Sequence, residues 1–471
     1  MTGRRLLKVS IAGSLLVVAV AARLYALDRK SLWFDEGVSL EMARLPLDAF
    51  LSMSWARELN MLPYYAALRA WIALGEGETE LRLLSVVFSV AAVAATFVLG
   101  RRLFGWWAGS VAAAVLALHA FDIRYAQEAR AYSLAILLCV VSALLLVGWV
   151  ERPSSWRAVA WAGVNVLALY AHFFCALVVV AQLLSLVALG WRALRSSHRE
   201  LGVAAGIMAL GALPIALFLK HESSGLDWVD PVTGQRVLAV LESLAGRSAS
   251  LLACFAATFA LVGALTVRLP PAERWKRVLV LAWALVPIAC AVVVSFWKPV
   301  LMDRFVVMSV PAWALAVGVA LAPHLERPSW RALPATAALA VVLGLELSAA
   351  REVYSEPFED WRTPARQVME AFRPGDVILF DSPWCEIPFD VYARPLARHA
   401  SAVRRPPGSP LVRDYRDGLR AVAGARRVWL VTSRLTTEHA REIRSALGPD
   451  VVPEGWEASR LGGIIILRYD L

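Results

Sequence analysis

Charged residues are scarce in this sequence: they make up 18% of its 471 residues, whereas apolar residues make up 59%. Such a composition is too apolar for an ordinary soluble enzyme and is typical of a polytopic membrane protein. Cysteine is scarcer still. Cys139, Cys175, Cys254 and Cys290 lie in apolar runs, Cys385 lies in a polar tail, and no two are in CxxC spacing. This pattern excludes a disulfide framework and a cysteine-based zinc site.

The basic residues are spread along the chain and do not form one continuous patch. The net charge is +10, but Lys and Arg fall in short clusters between apolar runs. This distribution follows the positive-inside rule of membrane proteins and argues against a nucleic-acid partner. Arg4, Arg5 and Lys8 precede the first apolar run, as in a signal peptide. Because many further runs follow, the first run is predicted to be a retained helix whose amino terminus is cytoplasmic.

Apolar runs near the roughly 17 to 25 residues that cross a bilayer predict about eleven transmembrane helices. The predicted spans are residues 9–27, 82–99, 106–121, 133–150, 156–171, 172–190, 201–219, 250–267, 277–296, 305–322 and 331–349. Each loop that this arrangement places in the cytoplasm is basic, as the positive-inside rule requires. These loops carry Arg101, Arg102, Arg152, Arg157, Arg192, Arg195, Arg199, Arg268, Arg274, Lys276, Arg277, Arg327 and Arg331.

The chain is therefore predicted to be a polytopic α-helical membrane protein with a membrane domain at 1–350 and a small domain at 351–471. Residues 38–75 are predicted to be interfacial helices on the outer face, because the apolar stretch 61–74 is short and contains Arg69. After residue 350 short apolar runs alternate with polar helical patterns, which is typical of an α/β domain. An odd number of spans places this domain outside the cytoplasm. The Pro-rich stretch 404–410 is predicted to be a loop or linker.

Two adjacent acids follow the first apolar run, in the sequence SLWFDEG. Asp35 and Glu36 can be read as a functional pair, because a carboxylate next to a membrane span sits at its wet end or lines a cavity. They can equally be read as an interfacial helix start, with Trp33 in the aromatic belt and the acids at the positive end of a helix. The sequence leaves both readings open.

Polar side chains collect at the predicted outer ends of several spans. The second outer loop carries Asp122, Arg124, Tyr125, Glu128, Arg130 and Tyr132, and other outer positions supply Arg82, His172, Lys298, Asp303 and Arg304. Any one of them could be a solvated loop charge or a snorkelling side chain. Together they predict a shared outer cavity in which a carboxylate takes a proton from an attacking hydroxyl and cations stabilise a departing phosphate. Arginine suits phosphate because its planar fork binds two oxygens.

An ordered set of short segments resembles the bacterial branch of the protein mannosyltransferase-like family, glycosyltransferase family 39. The segments are SLWFDEG, NMLPYYAAL, ELRLLSV, YAQEARAYSL, YAHFF and MDRFVVMSVPAW, and the later EDWRTPARQV resembles the start of the outer domain of many bacterial members. That family shares the GT-C architecture with the lipid A aminoarabinose transferases. Where relatives often have His-Pro-Pro before the aromatic pair Tyr64 and Tyr65, this chain has Met61, Leu62 and Pro63.

The resemblance implies an inverting transferase that moves a sugar from a polyprenyl-phosphate carrier to an acceptor on the outer face of the bacterial cytoplasmic membrane. By position Asp35 matches the catalytic acid of the family, Glu36 its neighbour, and Glu128 the acid of the second outer loop. The expected donor-binding residues are Arg82, Arg124, Arg130, Tyr132, His172, Lys298, Arg304, Tyr64 and Tyr65. The expected partners are the lipid bilayer, the polyprenyl-phosphate sugar and an acceptor that the sequence does not specify.

Two other functions are compatible with parts of the pattern. A GT-C-like glycan ligase or polymerase could rest on Arg and His chemistry instead of an acid. A lipid or solute transporter would also have many spans, but it typically shows paired repeats and charges at mid-membrane, and neither is visible here. A divalent cation could be held by Asp35, Glu36, Glu128 and His172, although no spacing requires one.

Overall fold

A computed structural model of the chain describes residues 3–190, 195–221, 229–326, 330, 332–356, 358–380, 383–396, 425–433, 441, 445 and 463–470. The predicted loop residues Arg192, Arg327 and Arg331 and the predicted linker 404–410 lie outside this set. The helices with described bounds are α1 (Gly3–Leu24), α2 (Phe34–Arg44), α3 (Leu47–Ala56), α4 (Leu62–Trp71), α5 (Glu78–Phe104), α6 (Trp106–Leu118), α7 (Ala120–Ala126), α8 (Tyr132–Glu151), α9 (Ser155–Ala171), α10 (Cys175–Leu186), α11 (His198–His221), α12 (Gly234–Leu244), α13 (Ala249–Thr266), α14 (Pro271–Val294), α15 (Val310–Leu325), α16 (Ala332–Ser355), α17 (Arg362–Ala371) and α18 (Pro383–Ala393).

The predicted spans all coincide with helices, but fewer of those helices have the length of a full crossing. Within the described residues, eight helices are long and apolar enough to span a membrane, or nine if the bent pair α6 and α7 is one span. Two predicted spans are neither among these eight helices nor in the bent pair: α9 has 17 residues, and α10 has 12 before a 3-10 turn at Val187–Leu189. The chain is a multi-pass membrane protein of mainly helical structure, as predicted.

The helices predicted at 38–75 are short. Helices α2, α3 and α4 have 10 or 11 residues each, and a 3-10 turn at Ile72–Leu74 follows α4. None of these three reaches the roughly 17 residues that a crossing needs. The stretch that begins at Met61 is therefore not a span, in agreement with the interpretation of its length and of Arg69.

Glycines allow three of the apolar helices to pack closely. A Cβ atom on Gly109 of α6 would lie 2.4 Å from the Phe97 carbonyl oxygen of α5, and one on Gly318 of α15 would lie 2.4 Å from the Ala108 carbonyl oxygen of α6. Small residues of this kind let membrane helices approach backbone to backbone. Helix α6 is therefore held between α5 and α15, and α7 continues from it after a 61° bend at His119.

By its contacts the chain divides into two compact units that do not follow chain order. The first contains residues 1–25, 51–71 and 80–355, and the second contains residues 26–50, 72–79 and 356–471. The prediction placed a single boundary near residue 350, because composition changes there. Composition cannot show that residues 26–50, which precede most of the spans, group with the carboxyl-terminal part.

Within its described residues the second unit contains a three-stranded sheet, which agrees with the predicted α/β domain. Strand β1 (Asp376–Phe380) is parallel to β2 (Arg427–Thr432), which is antiparallel to β3 (Ile465–Asp470). On one side of the sheet a buried cluster joins the strands to α17 and α18, and its largest members are Trp361, Phe389, Trp429, Ile464 and Ile466. Burying such side chains contributes about 1.5–3 kcal/mol each, so this small α/β layer has its own core.

Candidate active site

The aromatic pair on α4 is held by a strained turn that precedes the helix. Met61 adopts a φ of 81°, which is uncommon for a residue with a side chain. The Met61 N–H donates to the Tyr170 carbonyl oxygen over 2.9 Å, and the Phe173 N–H donates to Asn60 Oδ1 over 2.9 Å. These bonds attach the turn to the end of α9. The departure from His-Pro-Pro therefore falls at a position where the backbone is constrained.

Tyr65 links an arginine to an acid inside the first unit. Arg130 Nη1 donates to Tyr65 Oη over 2.9 Å, and that hydroxyl donates to Glu58 Oε2 over 2.9 Å. Tyr65 is fully buried and Arg130 is 8% exposed. A hydrogen-bonded chain of this kind fixes the guanidinium plane, and the opposite charge of Glu58 offsets part of the cost of burying it. The sequence reasoning missed Glu58, which lies just before the segment NMLPYYAAL.

Tyr64 supports the same loop from a second side. Its hydroxyl lies 2.8 Å from Ser85 Oγ on α5, and Ser85 Oγ donates to the Arg130 carbonyl oxygen over 3.3 Å. Arg82 is buried one helical turn before Ser85, on the same side of α5. Both tyrosines of the pair thus act on Arg130, one through its side chain and one through its backbone.

The second acidic loop connects α7 to α8 and carries Glu128. The Arg130 N–H donates to the Glu128 carbonyl oxygen over 2.8 Å, and Arg124 Nε lies 4.0 Å from Glu128 Oε1. The Arg124 and Glu128 side chains are 29% and 17% exposed. They are therefore more accessible to a small molecule than Arg130, which is 8% exposed. Tyr125 and Tyr132 pack with ring centroids 4.6 Å apart beneath the loop.

His172 lies at the break between α9 and α10, in an aromatic pocket. Its ring centroid is 5.7 Å from that of Tyr132 and 5.9 Å from those of Phe174 and Phe305. The side chain is 1% exposed, and neither ring nitrogen has a hydrogen-bond partner among the described residues. Burying a polar ring in this way costs free energy unless a ligand or a water molecule supplies the missing hydrogen bonds.

A second arginine approaches the same imidazole from the segment after α14. Arg130 and Arg304 are both within electrostatic range of His172. The Arg304 guanidinium lies 5.8 Å from the centre of the Phe305 ring, and its backbone N–H donates to Asp303 Oδ1 over 2.7 Å. Two guanidinium groups therefore act on the same buried imidazole, and paired arginines of this kind are suited to binding an anion.

Lys298 differs from the other predicted phosphate ligands in its exposure. It is exposed on the segment that follows α14, next to Trp297, which is 80% exposed. The remaining predicted ligands of the first unit are buried or half-buried at the chain-distant positions described above. The sequence could not show that Lys298 is exposed whereas Arg304 is half-buried, because the two are only six residues apart.

The acids predicted to be catalytic lie in the second unit, in the first turn of α2. Acids favour this end of a helix because the helix dipole is positive there. Glu36 is fully buried and accepts a hydrogen bond from the Trp33 N–H over 3.4 Å, whereas Asp35 is partly exposed. The helix-start reading thus describes Glu36, whereas Asp35 stays partly exposed and its catalytic role stays a prediction.

The segment that leads into α2 is fastened by residues far along the chain. Arg362 donates to the carbonyl oxygens of Asp28 over 2.5 Å and of Lys30 over 3.0 Å, and it forms a two-pronged ion pair with Glu78. Tyr392 also donates to Glu78. Burial, together with this hydrogen bond, raises the pKa of Tyr392 well above its usual range, so the hydroxyl stays protonated. No motif or spacing in the sequence points to Glu78 or Tyr392.

Metal binding was left open by the sequence. Among the residues that the structure describes, no three or more His, Cys, Asp or Glu side chains are grouped so that they could hold an ion.

Solved structures share this architecture at low sequence identity. ArnT from Cupriavidus metallidurans, in a crystal structure bound to undecaprenyl phosphate, has a TM-score of 0.63 and 15% identity over 97% of each chain. The oligosaccharyltransferase AglB from Archaeoglobus fulgidus, in complex with an inhibitory peptide and a dolichol-phosphate, has a TM-score of 0.55 and 12% identity over 91% of this chain and 70% of that chain. Both belong to the GT-C superfamily. The chain has the GT-C fold.

The GT-C fold confirms the architecture that the ordered segments implied. It extends over nearly the whole chain, including the part after residue 355. No protein-family model matches the sequence, and no curated protein matches it. At these identities the GT-C likeness establishes the fold, and the roles of individual residues follow from their surroundings in this chain.

Proposed function

We propose that the protein transfers a sugar from a polyprenyl-phosphate carrier to an acceptor on the outer face of the bacterial cytoplasmic membrane. The observation that carries this proposal is the aromatic cluster around His172, against which Arg304 packs through Phe305 and on which Arg130 acts electrostatically. Two arginines suit the phosphate of a lipid-linked donor, and the aromatic rings suit its isoprenoid or sugar portion. The polyprenyl phosphates bound to ArnT and to AglB support the same ligand class.

The chemistry assigns a different task to each group. Asp35 accepts the proton of the acceptor hydroxyl while that oxygen attacks the anomeric carbon of the sugar. The bond from that carbon to the phosphate oxygen breaks, and Arg130 and Arg304 stabilise the negative charge on the departing polyprenyl phosphate. The displacement occurs in one step, so the anomeric configuration is inverted. Glu128, with Arg124 beside it, is placed to orient a polar substrate group.

The decisive experiment uses the donor that accumulates in a deletion strain, identified by mass spectrometry of lipid-linked sugars. With that donor and the purified protein, Asp35→Asn is expected to lose about 100- to 10,000-fold in turnover, because a positioned base contributes that much. Donor binding should persist, since cations govern it. A product of retained anomeric configuration, or an Asp35→Asn rate near that of the wild type, would contradict this mechanism.

A glycan ligase or polymerase of GT-C type is the second candidate, and one observation favours it. His172 is buried near two arginines without a hydrogen-bond partner among the described residues, so it is placed to act on a bound substrate itself. If His172→Asn abolishes turnover while Asp35→Asn does not, this second function replaces the first.

A further inference from the structure

The helix that carries Asp35 packs against a helix of the carboxyl-terminal part of the chain. Helix α2 contacts α18 in the second unit. Gly37, two residues after Asp35, faces Ile387: a Cβ atom on Gly37 would lie 2.7 Å from Ile387 Cγ2. Real Cβ atoms do not approach other carbon atoms so closely. Glycine at position 37 therefore lets α2 lie directly on α18.

Aromatic and polar contacts extend this interface on both sides of Gly37. The Phe34 and Trp384 rings meet edge to face with centroids 4.3 Å apart. One turn further along α2, Glu41 Oε1 lies 3.2 Å from Arg394 Nη2, in the 3-10 turn after α18. The contacts thus follow α2 along its length and restrict its rotation about its own axis.

The start of α2 is fixed by a separate set of bonds. The Leu32 N–H donates to Tyr392 Oη over 2.6 Å, and Tyr392 in turn donates to Glu78. Ser31 Oγ donates to the Glu359 carbonyl oxygen over 2.5 Å and accepts from the Trp361 N–H over 3.1 Å. The backbone that enters α2 is therefore bound to residues more than 300 positions later in the chain.

We propose that α18 is a brace that sets the orientation of α2, and that Ile387 and Tyr392 are positioning residues for Asp35. The proposal rests on the proposed function, in which Asp35 is the base. It gives the carboxyl-terminal part of the chain a task in catalysis: it holds the acidic helix in one rotation and one axial position. Neither residue touches the substrate in this account, so both act only through α2.

The first test is a steric pair. Gly37→Ala introduces the missing Cβ at a helical position where alanine is otherwise the better helix former. If α18 sets the position of α2, this variant should lose about 100-fold in kcat, the effect of a misplacement of about 1 Å, with little change in the KM for the donor. Ile387→Ala in the same chain should restore most of the loss, because it removes the atom that the new Cβ meets. The control is Gly163→Ala on α9, where nothing lies within 4 Å of the added Cβ.

The second test removes one hydroxyl. Tyr392→Phe keeps the ring but removes the acceptor for the Leu32 N–H and the donor to Glu78, so kcat should fall and the backbone N–H groups of residues 31–44 should exchange hydrogen faster. Tyr469→Phe on β3 is the control, because it makes the same change elsewhere in the second unit. All assays use the full chain in detergent or vesicles with the donor that accumulates in the deletion strain.

The outcomes separate the brace from the proposed function. If Asp35→Asn keeps its rate, the proposed function fails, but faster hydrogen exchange in Tyr392→Phe would still support the brace. If Asp35→Asn is inactive while Gly37→Ala and Tyr392→Phe keep both wild-type kcat and wild-type exchange, the brace is wrong. A Gly37→Ala chain that does not fold and is not rescued by Ile387→Ala, together with a silent Tyr392→Phe, also overturns it.

Discussion

Arg23 Nη2 lies 2.5 Å from Asp122 Oδ2, and neither side chain is more than 1% exposed. All five guanidinium donors of Arg23 are used, because the group also donates to Ser89 Oγ and to the carbonyl oxygens of Ala19, Leu116 and Ala117. In the sequence Asp122 belongs to the polar second outer loop, but its carboxylate forms an ion pair with Arg23 of the first helix. The pair joins α1 to α5, α6 and α7 and is structural.

Replacing Asp122 should therefore damage the fold more than the chemistry. Asp122→Asn leaves the Arg23 charge buried without its counter-charge, and we expect a loss of about 3–5 kcal/mol in stability. Thermal unfolding of the full chain in detergent measures it, with Asp48→Asn as a control at an exposed position. A variant with wild-type stability and reduced kcat would instead place Asp122 in the reaction.

Arg130 and Arg304 should be sensitive even to lysine. Lysine keeps the charge but loses the planar fork, so Arg→Lys at either position should weaken donor binding, and Arg→Ala should weaken it further. A charge-assisted hydrogen bond is worth about 1.5–3 kcal/mol, which corresponds to roughly 10- to 100-fold in affinity. Binding of the lipid-linked donor is the measurement, and Arg351→Ala, at an exposed position on α16, is the control. If both alanine variants bind the donor as tightly as the wild type, these two arginines are ordinary loop charges that do not bind the donor.

The bend between α6 and α7 depends on a buried acid from α16. Glu346 Oε2 accepts the Ala120 N–H over 3.3 Å, and Glu346 Oε1 lies 3.8 Å from His119 Nε2, with both side chains fully buried. Glu346→Leu should destabilise the protein by about 1–3 kcal/mol, because it leaves polar groups unsatisfied. Glu346→Gln should be milder, since it keeps the acceptor. Equal thermal stability of Glu346→Leu and the exposed control Glu352→Leu would contradict this role.

The sheet of the second unit should lose stability in acid through Asp376. Burial raises the pKa of this carboxyl, but hydrogen bonds from Arg427, the Arg373 N–H and the Trp429 indole outweigh it and hold the pKa below its usual value. A lowered folded-state pKa stabilises the protein above the unfolded value of about 3.9, and this stability is lost as the pH falls through the folded value. The difference in Tm between the wild type and Asp376→Asn should be present at pH 7 and shrink below about pH 4. A difference that does not change with pH would rule out this linkage.

The basic loops predict the orientation of the chain in the membrane. Reporters fused after residues 102, 195 and 274 should be cytoplasmic, and reporters after residues 125, 230 and 400 should be external. A cytoplasmic signal from position 400 would place the carboxyl-terminal part on the other side from the proposed reaction.

The sequence by itself determined the membrane class, the helices on which the predicted spans fall and the α/β character of the carboxyl-terminal part, because hydrophobic periodicity is a local property of the chain. It also selected Asp35, Arg130 and Arg304 through short ordered segments. It could not show that Glu58 fixes Arg130 through Tyr65, since an acid is recognised as a partner only when folding brings it within hydrogen-bond distance.

The tertiary structure alone decided which charges belong together. Asp122 and Glu128 are six residues apart and similar in sequence context, yet one is buried against Arg23 and the other is partly exposed beside Arg124. Likewise, residues 26–50 group with a part of the chain that begins at residue 356. Contacts between segments so far apart depend on the packing of whole helices, and no local pattern of apolar and polar residues encodes them.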